Sequence, residues 1–467
     1  MAYSSPFMKA VTTAKDPMSC IVGPPPPPIS SKKVIYTPFS RVTTTDKKQC
    51  IRGLIYKNLA SSSANHCQLN WSNIPDVVLI KIYKNLSFLD RARASSVCKH
   101  WHDIYKLPEL WHKFEFEFTQ ESTSYIKSTP PRLVKQVIQQ YTKHLKYVTI
   151  KVDSHQASAE AACDILSRLV NCSLKTLELM LTARPSFHLV NPVKLLTPLT
   201  VVLVNSPTLS SLALDETPVD DPWLENMAVS NKDSLMLLKI ASCPLVSSKG
   251  MLHVADTCRQ LHELNINYVH VSDSLLLALS REEHVKLKHL CVNVICENND
   301  TPMQHHVIKK QSWDALASHS PSTIVSMCFY VLRDTDFTPF FTYVTPATHV
   351  YFGRSVSRDV LIRMGENCPK LQELVICANG NQPLDEPIVT IARKCKELHS
   401  LGLGECEVSC SCLVKVARLC GERLTEFFVR EEVVFEDDEY DLDTMTSEVC
   451  QYLGRTWSAE CMPFWNE

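Results

Sequence analysis

The chain, 467 residues long, is predicted to be an α/β molecule in which a small three-helix unit precedes a solenoid of strand–helix repeats, a horseshoe with parallel strands on its concave side. Two observations predict this. Between Trp71 and Trp111, apolar residues recur at helical spacing, punctuated by proline and tryptophan. From Leu145 to Val429, a single template of aliphatic, two others, aliphatic, one other, aliphatic returns, its first positions 26 apart at Leu209, Leu235, Leu261 and Leu287 and 27 and 26 apart at Leu371, Leu398 and Leu424.

Composition narrows the function. Lys and Arg number 48 against 50 Asp and Glu, so the basic footprint of a nucleic-acid binder is missing. Glycine is scarce at 10 residues, and neither a phosphate loop nor a dinucleotide fingerprint occurs, so no cofactor is expected. No run of eighteen apolar residues and no secretory leader is found; a soluble intracellular protein with no membrane partner is expected. The 20 cysteines include no Cys-x-x-Cys pair, and Cys410, Cys412 and the adjacent His305-His306 have no complementary ligands at finger-like distance. Reduced thiols and no metal are therefore expected. No nucleophile–base–orienter set is identifiable, which points away from catalysis.

Residues 1–69 carry the unbroken proline run Pro24 to Pro28 with Ser and Thr clusters, and are expected to be disordered. The run suits either a solvated tail or a ligand for SH3-like or WW-like modules. The helical unit is placed at 70–118. Pro75 suits a first helical turn, with Val78, Ile82 and Leu86 following at helical spacing beside Leu79 and Tyr83. Asp90 is expected to cap a second helix carrying Ala94, Val97 and Trp101 on one face, and Pro108 to open a third with Leu110 and Trp111. About forty residues in three helices cannot bury a self-sufficient core, so exposed apolar surface is expected, for a partner or for a neighbouring domain.

The solenoid is placed at 119–450. Its template reads Leu145-Val148-Ile150, Leu174-Leu177-Leu179, Leu209-Leu212-Leu214, Leu235-Leu238-Ile240, Leu261-Leu264-Ile266 and Leu287-Leu290-Val292. A degenerate stretch is readable as Ile324-Met327-Phe329 and Ala347-Val350-Phe352, followed by Leu371-Leu374-Ile376, Leu398-Leu401-Leu403 and Leu424-Phe427-Val429. Each core alternates like a strand with one buried face, and stretches such as 250–258 and 387–395 follow it as helices. Cys243 and Cys406 lie three residues after a strand core, and Cys258, Cys368 and Cys395 three before the next, positions where a thiol serves as a small hydrophobe. Val449, Tyr452 and Leu453 are expected to help close the far end. Eight acidic residues between Glu431 and Asp443 suit either steering of a basic partner or a solvated loop. The final segment, 451–467, holds Trp457, Phe464 and Trp465, with Pro463 stiffening the approach; such aromatics either anchor in a partner's pocket or fold back over the last repeat.

The Ile74-Pro75 opening, the Val97-Cys98-Lys99-x-Trp101 run and Pro108-x-Leu110-Trp111 resemble the F-box, the helical adapter by which substrate receptors dock onto cullin-based ubiquitin ligases. Ile74 and Tyr83 stand where Leu and Phe are more usual. The repeats resemble the cysteine-containing class of leucine-rich repeats. Over 70–465, the runs 89–98, 113–117, 158–167, 351–357 and 406–411, with Met462-Pro463 before an aromatic pair, are similar to the F-box/leucine-rich-repeat proteins that recognise cryptochromes. The resemblance implies a non-catalytic substrate receptor of an SCF-type ubiquitin ligase acting in the circadian clock, in nucleus and cytosol. It implies that Ile74, Pro75, Val78, Ile82 and Leu86 face a Skp-type adaptor and through it the cullin core. The repeats would grip cryptochrome while Trp465, with Phe464 and Trp457 in the same segment, reaches the flavin pocket. In the family the chain ends at that Trp, whereas Asn466 and Glu467 follow here. A leucine-rich-repeat scaffold, or a receptor for a different substrate, is the alternative.

Overall fold

The structure is a computed structural model that describes residues 71–86, 88–118, 131–181, 187, 190–295, 305–330, 334–337, 339–341, 345–353, 356–377 and 383–459. The expected N-terminal segment 1–69, and with it the proline run, lies outside the described residues, as do Phe464 and Trp465. The chain divides between Leu110 and Trp111 into two compact units, taken here in turn.

In the first unit, a short 3-10 turn at Trp71–Asn73 precedes α1 (Asp76–Asn85), with Pro75 as its N-cap, then α2 (Phe88–Ala94), α3 (Lys99–Tyr105) and a 3-10 turn opening at Pro108. Its small core is Leu79, Tyr83, Ile104 and Leu110, all buried. Tyr83 sits edge-on to Trp101 at 6.1 Å, and its hydroxyl donates to the Trp101 carbonyl at 3.0 Å, so the extra oxygen relative to Phe is accommodated by a hydrogen bond. Burial, then the neighbouring Tyr105, pushes this phenol up to about 12.

Two expectations are corrected here. Asp90 does not cap α2 but lies within it, paired with Arg93 at 2.9 Å. Val97 does not share an inward helical face with Ala94 and Trp101: it stands in the turn between α2 and α3, 60% exposed. The reason is local. The Ser95 and Ser96 hydroxyls donate back to the Ala92 and Arg93 carbonyls at 2.7 and 2.6 Å, as serines do where a helix gives way to a turn.

The second unit alternates strand and helix. Its strands are β1 (Lys113–Phe118), β2 (Tyr147–Val152), β3 (Thr176–Leu181), β4 (Ser211–Asp215), β5 (Leu237–Ala241), β6 (Glu263–Asn267), β7 (His289–Ile295), β8 (Ile324–Tyr330), β9 (His349–Phe352), β10 (Glu373–Ile376), β11 (Ser400–Leu403), the two-residue β12 (Val408–Ser409), β13 (Glu426–Val429) and β14 (Val434–Phe435). Twelve of these form one sheet in sequence order, every neighbouring pair parallel, while β12 and β14 pair apart. Sequence order in a parallel sheet means that each repeat pairs only with its chain neighbours, which is the definition of a solenoid. The crossover helices are α4 (Pro131–Tyr141), α5 (Gln156–Leu166), α6 (Pro192–Val204), α7 (Asp221–Ser230), α8 (Ser248–Thr257), α9 (Asp273–Leu279), α10 (Lys310–His319), α11 (Arg358–Asn367), α12 (Asp385–Lys394) and α13 (Cys410–Cys420), and α14 (Leu442–Leu453) follows the last strands.

The template residues form the layer between strands and helices; apart from Ile324, none is more than 7% exposed. Helix starts recur chemically: side chains of Asn191, Asp220, Ser247, Ser272, Ser357, Ser409 and Asp441 accept from backbone N–H groups in the first turn. Carboxylates then tie one repeat to the next. Asp221 accepts from the Ser247 N–H at 2.8 Å, Asp273 from Lys309 N–H and Ser312 hydroxyl at 2.9 and 2.6 Å, and Asp385 from Ser409 N–H at 2.9 Å. Gly250 leaves room for the first of these ties: a Cβ there would lie 2.2 Å from Asp221 Oδ1, so the carboxylate would have to move. Cys258, Cys368 and Cys395 end α8, α11 and α12, fully buried. Burial pushes the Cys258 thiol up to about 12 and Cys395 to about 11, so these thiols pack rather than react. Cys243 and Cys406 are likewise buried.

A further correction falls in the degenerate stretch. Against β7 the residue opposite Leu290 is Val325, but against β9 the residue opposite Val350 is Met327. The register therefore moves by two residues across the seven-residue β8. A shift of two preserves which side chains face the core, so Met327 and Phe329 are buried as expected, but Ile324 is 40% exposed and Thr323 is buried in its place. The Thr323 hydroxyl donates to the Leu287 and Ser320 carbonyls, both at 2.8 Å.

At the first end of the sheet, 113–118, grouped with the helical unit on sequence, hydrogen-bonds in register with β2 and alternates buried Phe114 and Phe116 with polar neighbours. Trp111 stacks on Tyr141 at 4.1 Å beneath it. At the other end, α14 lies against α13 with Met445 and Val449 fully buried. Among the described residues no helix is long and apolar enough to cross a membrane.

Candidate protein-docking surfaces

The first surface belongs to the helical unit. α1 has two sides: Leu79 and Tyr83 point inward with no exposure, while Val77 and Val78 are 67% and 47% exposed. Of the expected adaptor-facing residues, Pro75 and Val78 are exposed, and Ile74, Ile82 and Leu86 are half-buried; none is sealed inside the unit. The entrance to α1 is held by α3, whose His100 ring nitrogen meets the Ile74 carbonyl and whose Trp101 indole N–H donates to the Trp71 carbonyl, both at 3.0 Å. These ties hold the start of α1 against the start of α3, the corner where Trp71, 66% exposed, and Val97 also lie. Trp71 and Val97 were not among the expected contacts. Among the described residues of this small unit, four apolar side chains, Trp71, Val77, Val78 and Val97, leave 47–67% of their surface open.

The second surface is the face of the sheet opposite the core. Its side chains bond across strands: Thr149 hydroxyl to Glu178 at 2.8 Å, Lys151 with Glu115 at 2.5 Å, Lys239 with Asp215 at 3.0 Å and Asn293 to Asn265 at 2.7 Å. Further along, Glu263, His289, Ser326, His349, Glu373, Ser400 and Glu426 occupy positions that pair across β6 to β13, save for the step at β8. His289 bonds the Ser326 hydroxyl at 2.8 Å. Burial first, then His289 and His399, lowers the His349 imidazole to about 4, although the Glu373 carboxylate lies 3.8 Å away. This is a preorganised polar surface suited to a protein partner. Among the described residues no group of three His, Cys, Asp or Glu side chains is arranged to hold a metal.

The third region follows α14. Trp457, expected to meet a partner, is half-buried; its indole N–H donates to the Phe427 carbonyl at 2.7 Å and its ring stacks on Phe427 at 5.1 Å. The acidic stretch is partly structural: Asp441 caps α14, and Asp437 accepts N–H bonds from Ser411, Glu439 and Tyr440. Burial works to raise the Asp437 carboxyl, but those hydrogen bonds prevail and hold it at about 2.

The F-box-like family model matches residues 71–117, the stretch that carries the uncovered apolar face and β1. F-box/LRR-repeat protein 21 of Mus musculus is 52% identical over 418 residues, covering 90% of this chain and 96% of the relative. The Bos taurus protein of the same name is 49% identical over 410 residues, covering 88% and 94%. Among solved structures, the crystal structure of the yeast Rad7 and Elc1 complex aligns with a TM-score of 0.40 at 15% identity, covering 85% of this chain and 95% of that one. With half of its residues identical to these relatives across nearly their whole length, the chain belongs to the F-box/LRR-repeat protein family.

Proposed function

We propose that the chain is the substrate-receptor subunit of an SCF-type ubiquitin ligase that captures cryptochromes for ubiquitination and so acts on the circadian clock, in nucleus and cytosol. The observation that carries the receptor reading is the uncovered apolar face of the helical unit, where Val78 is 47% exposed on the helix whose other side seals Leu79 and Tyr83. An adaptor of the Skp type covers Trp71, Ile74, Pro75, Val77, Val78, Ile82, Leu86 and Val97 and couples them to the cullin core. The solenoid's polar strand face holds the substrate, and Trp465, with Phe464, enters its flavin pocket. No residue of this chain reacts; holding substrate lysines near a charged conjugating enzyme replaces a random encounter by a local one.

Two measurements test this. Replacing Ile74 by Lys and Pro75 by Ser is expected to abolish adaptor co-purification while cryptochrome capture persists; retained adaptor binding contradicts the docking role. Trp465→Ala is expected to weaken cryptochrome binding by more than about 2 kcal/mol, with flavin competing against the unmodified chain. Unchanged affinity removes the aromatic segment from the mechanism. Capture of cryptochrome without any cullin assembly would instead identify a scaffold.

A further inference from the structure

α1, the helix that carries the exposed Val77 and Val78, depends on its neighbours for its ends. Pro75, its N-cap, makes no side-chain hydrogen bond to the first turn, and the helix gives way at Leu86 to an extended backbone, φ −85° and ψ 145°, rather than to a left-handed glycine. A helix of 10 residues is marginal by itself, and its last carbonyls have no partner within the helix. At that end the cap comes from α2. Arg91 donates from Nη2 to the Lys84 carbonyl at 3.3 Å, from Nε to the Leu86 carbonyl at 3.1 Å and from Nη1 to the Leu110 carbonyl at 2.9 Å. One half-buried guanidinium thus joins the last turn of α1, the residue that leaves it and the 3-10 turn at Pro108–Trp111. The Lys84 ammonium pairs with Glu109 and ties the same helix to the same turn. Any cation here would face the negative end of the α1 dipole, but three carbonyls in separate directions need the guanidinium fork, which a lysine lacks.

We infer that Arg91 is a positioning residue for adaptor docking: it fixes the last turn of α1 and so holds Leu86 at helical spacing from Val78. The two side chains lie eight residues apart, about 12 Å along a helix, and both must meet one adaptor at once. Without the fork the last turn frays, Leu86 samples other directions, and the adaptor has to order it on binding. Arg91 itself directs its donors to carbonyls of its own unit, so it acts through Leu86 rather than on the partner. This inference rests on the docking role proposed above, but the clamp can be measured without an adaptor.

In the full chain, amide hydrogen exchange reads the clamp directly. Arg91→Lys, which keeps the charge and loses the fork, is expected to quicken exchange at residues 84–86 about tenfold or more, because exchange follows the population of the opened turn, with the amides of the buried Leu79 and Ile104 unchanged. Unchanged exchange at 84–86 overturns the clamp, and a rise spread evenly through the helical unit overturns the positioning role in favour of a general structural one. The second arm is a double-mutant cycle read as affinity for a purified Skp-type adaptor. Arg91→Lys and Leu86→Ala are each expected to weaken binding about tenfold, and Arg91→Lys added to Leu86→Ala to cost less than about twofold more, because the first change acts through the second residue. In an Ile74→Ala chain, altered at the other end of α1, Arg91→Lys is expected to keep its full effect of about tenfold. An unchanged affinity in Arg91→Lys overturns the inference. So does a full loss from Arg91→Lys in the Leu86→Ala chain, since Arg91 then touches the adaptor itself. Adaptor binding at full strength in Val78→Glu counts against the docking role, while exchange at 84–86 continues to decide the clamp.

Discussion

Val78 and Leu264 are both aliphatic residues on a repeating apolar pattern, yet Val78 is 47% exposed and Leu264 only 2%. The difference lies in what each unit has for neighbours. Leu264 on β6 is covered by β5 and β7 in register and by the helices beneath; every interior repeat supplies the cover for the next. The helical unit has one small core around Leu79 and Tyr83, and among its described residues Val77 and Val78 on the same helix stay exposed. A solenoid can complete itself by repetition, whereas a three-helix adapter is left open.

That contrast can be pressed at several points. Leu264→Ala has the largest expected effect, a loss of about 2–5 kcal/mol seen as a lower urea midpoint, because the cavity lies between two fixed strands. A loss below about 1 kcal/mol would mean that the repeat stack is less tightly packed than its burial implies.

A second test uses acid. Held neutral by burial down to about 4, His349 binds a proton in the unfolded chain near the ordinary imidazole value of 6.5 before it can do so in the folded one. Its contribution is therefore complete above about pH 6.5, is lost as pH falls from there toward 4, and levels off below, at about 1.4 kcal/mol per unit of depression. Urea midpoints of His349→Gln at pH 7 and pH 5 should lie closer together than those of the unmodified chain. Equal spacing would show that the imidazole is not held neutral.

Tyr83→Phe sharpens the other side of the comparison with a smaller change. It removes the donor to the Trp101 carbonyl and is expected to cost about 0.5–1.5 kcal/mol. A shift in helical-unit melting outside that range would mean that the hydroxyl does more, or less, than satisfy one carbonyl.

The solenoid was largely legible in the sequence because one local pattern repeats, 26 or 27 residues apart from Leu209 to Leu287 and from Leu371 to Leu424, so errors at one unit are corrected by the next. The two-residue register step at β8 was not legible: alternation in a strand has period two, so a shift of two leaves the buried pattern unchanged. β1 precedes the template and carries Phe rather than Leu, so it was grouped with the helices. In the helical unit, spacing along one helix revealed Val78 and Ile82, while the exposure of Trp71 and Val97 follows from the bonds of Trp101 and His100 and the break at Ser95-Ser96, none of which has a periodicity. For Trp457 the sequence left open a partner's pocket or folding back over the last repeat; that it meets Phe427 on the edge strand depends on where the sheet ends.

The most direct measurement pairs stability with association in Val78→Glu. Because Val78 faces outward, a carboxylate there is expected to leave the melting temperature of the chain nearly unchanged, within about 0.5 kcal/mol, while co-elution with a purified Skp-type adaptor is lost. Retained adaptor binding at full strength, or unfolding of the helical unit, would contradict the account, since the first means that this face is not the docking surface and the second that it was never open.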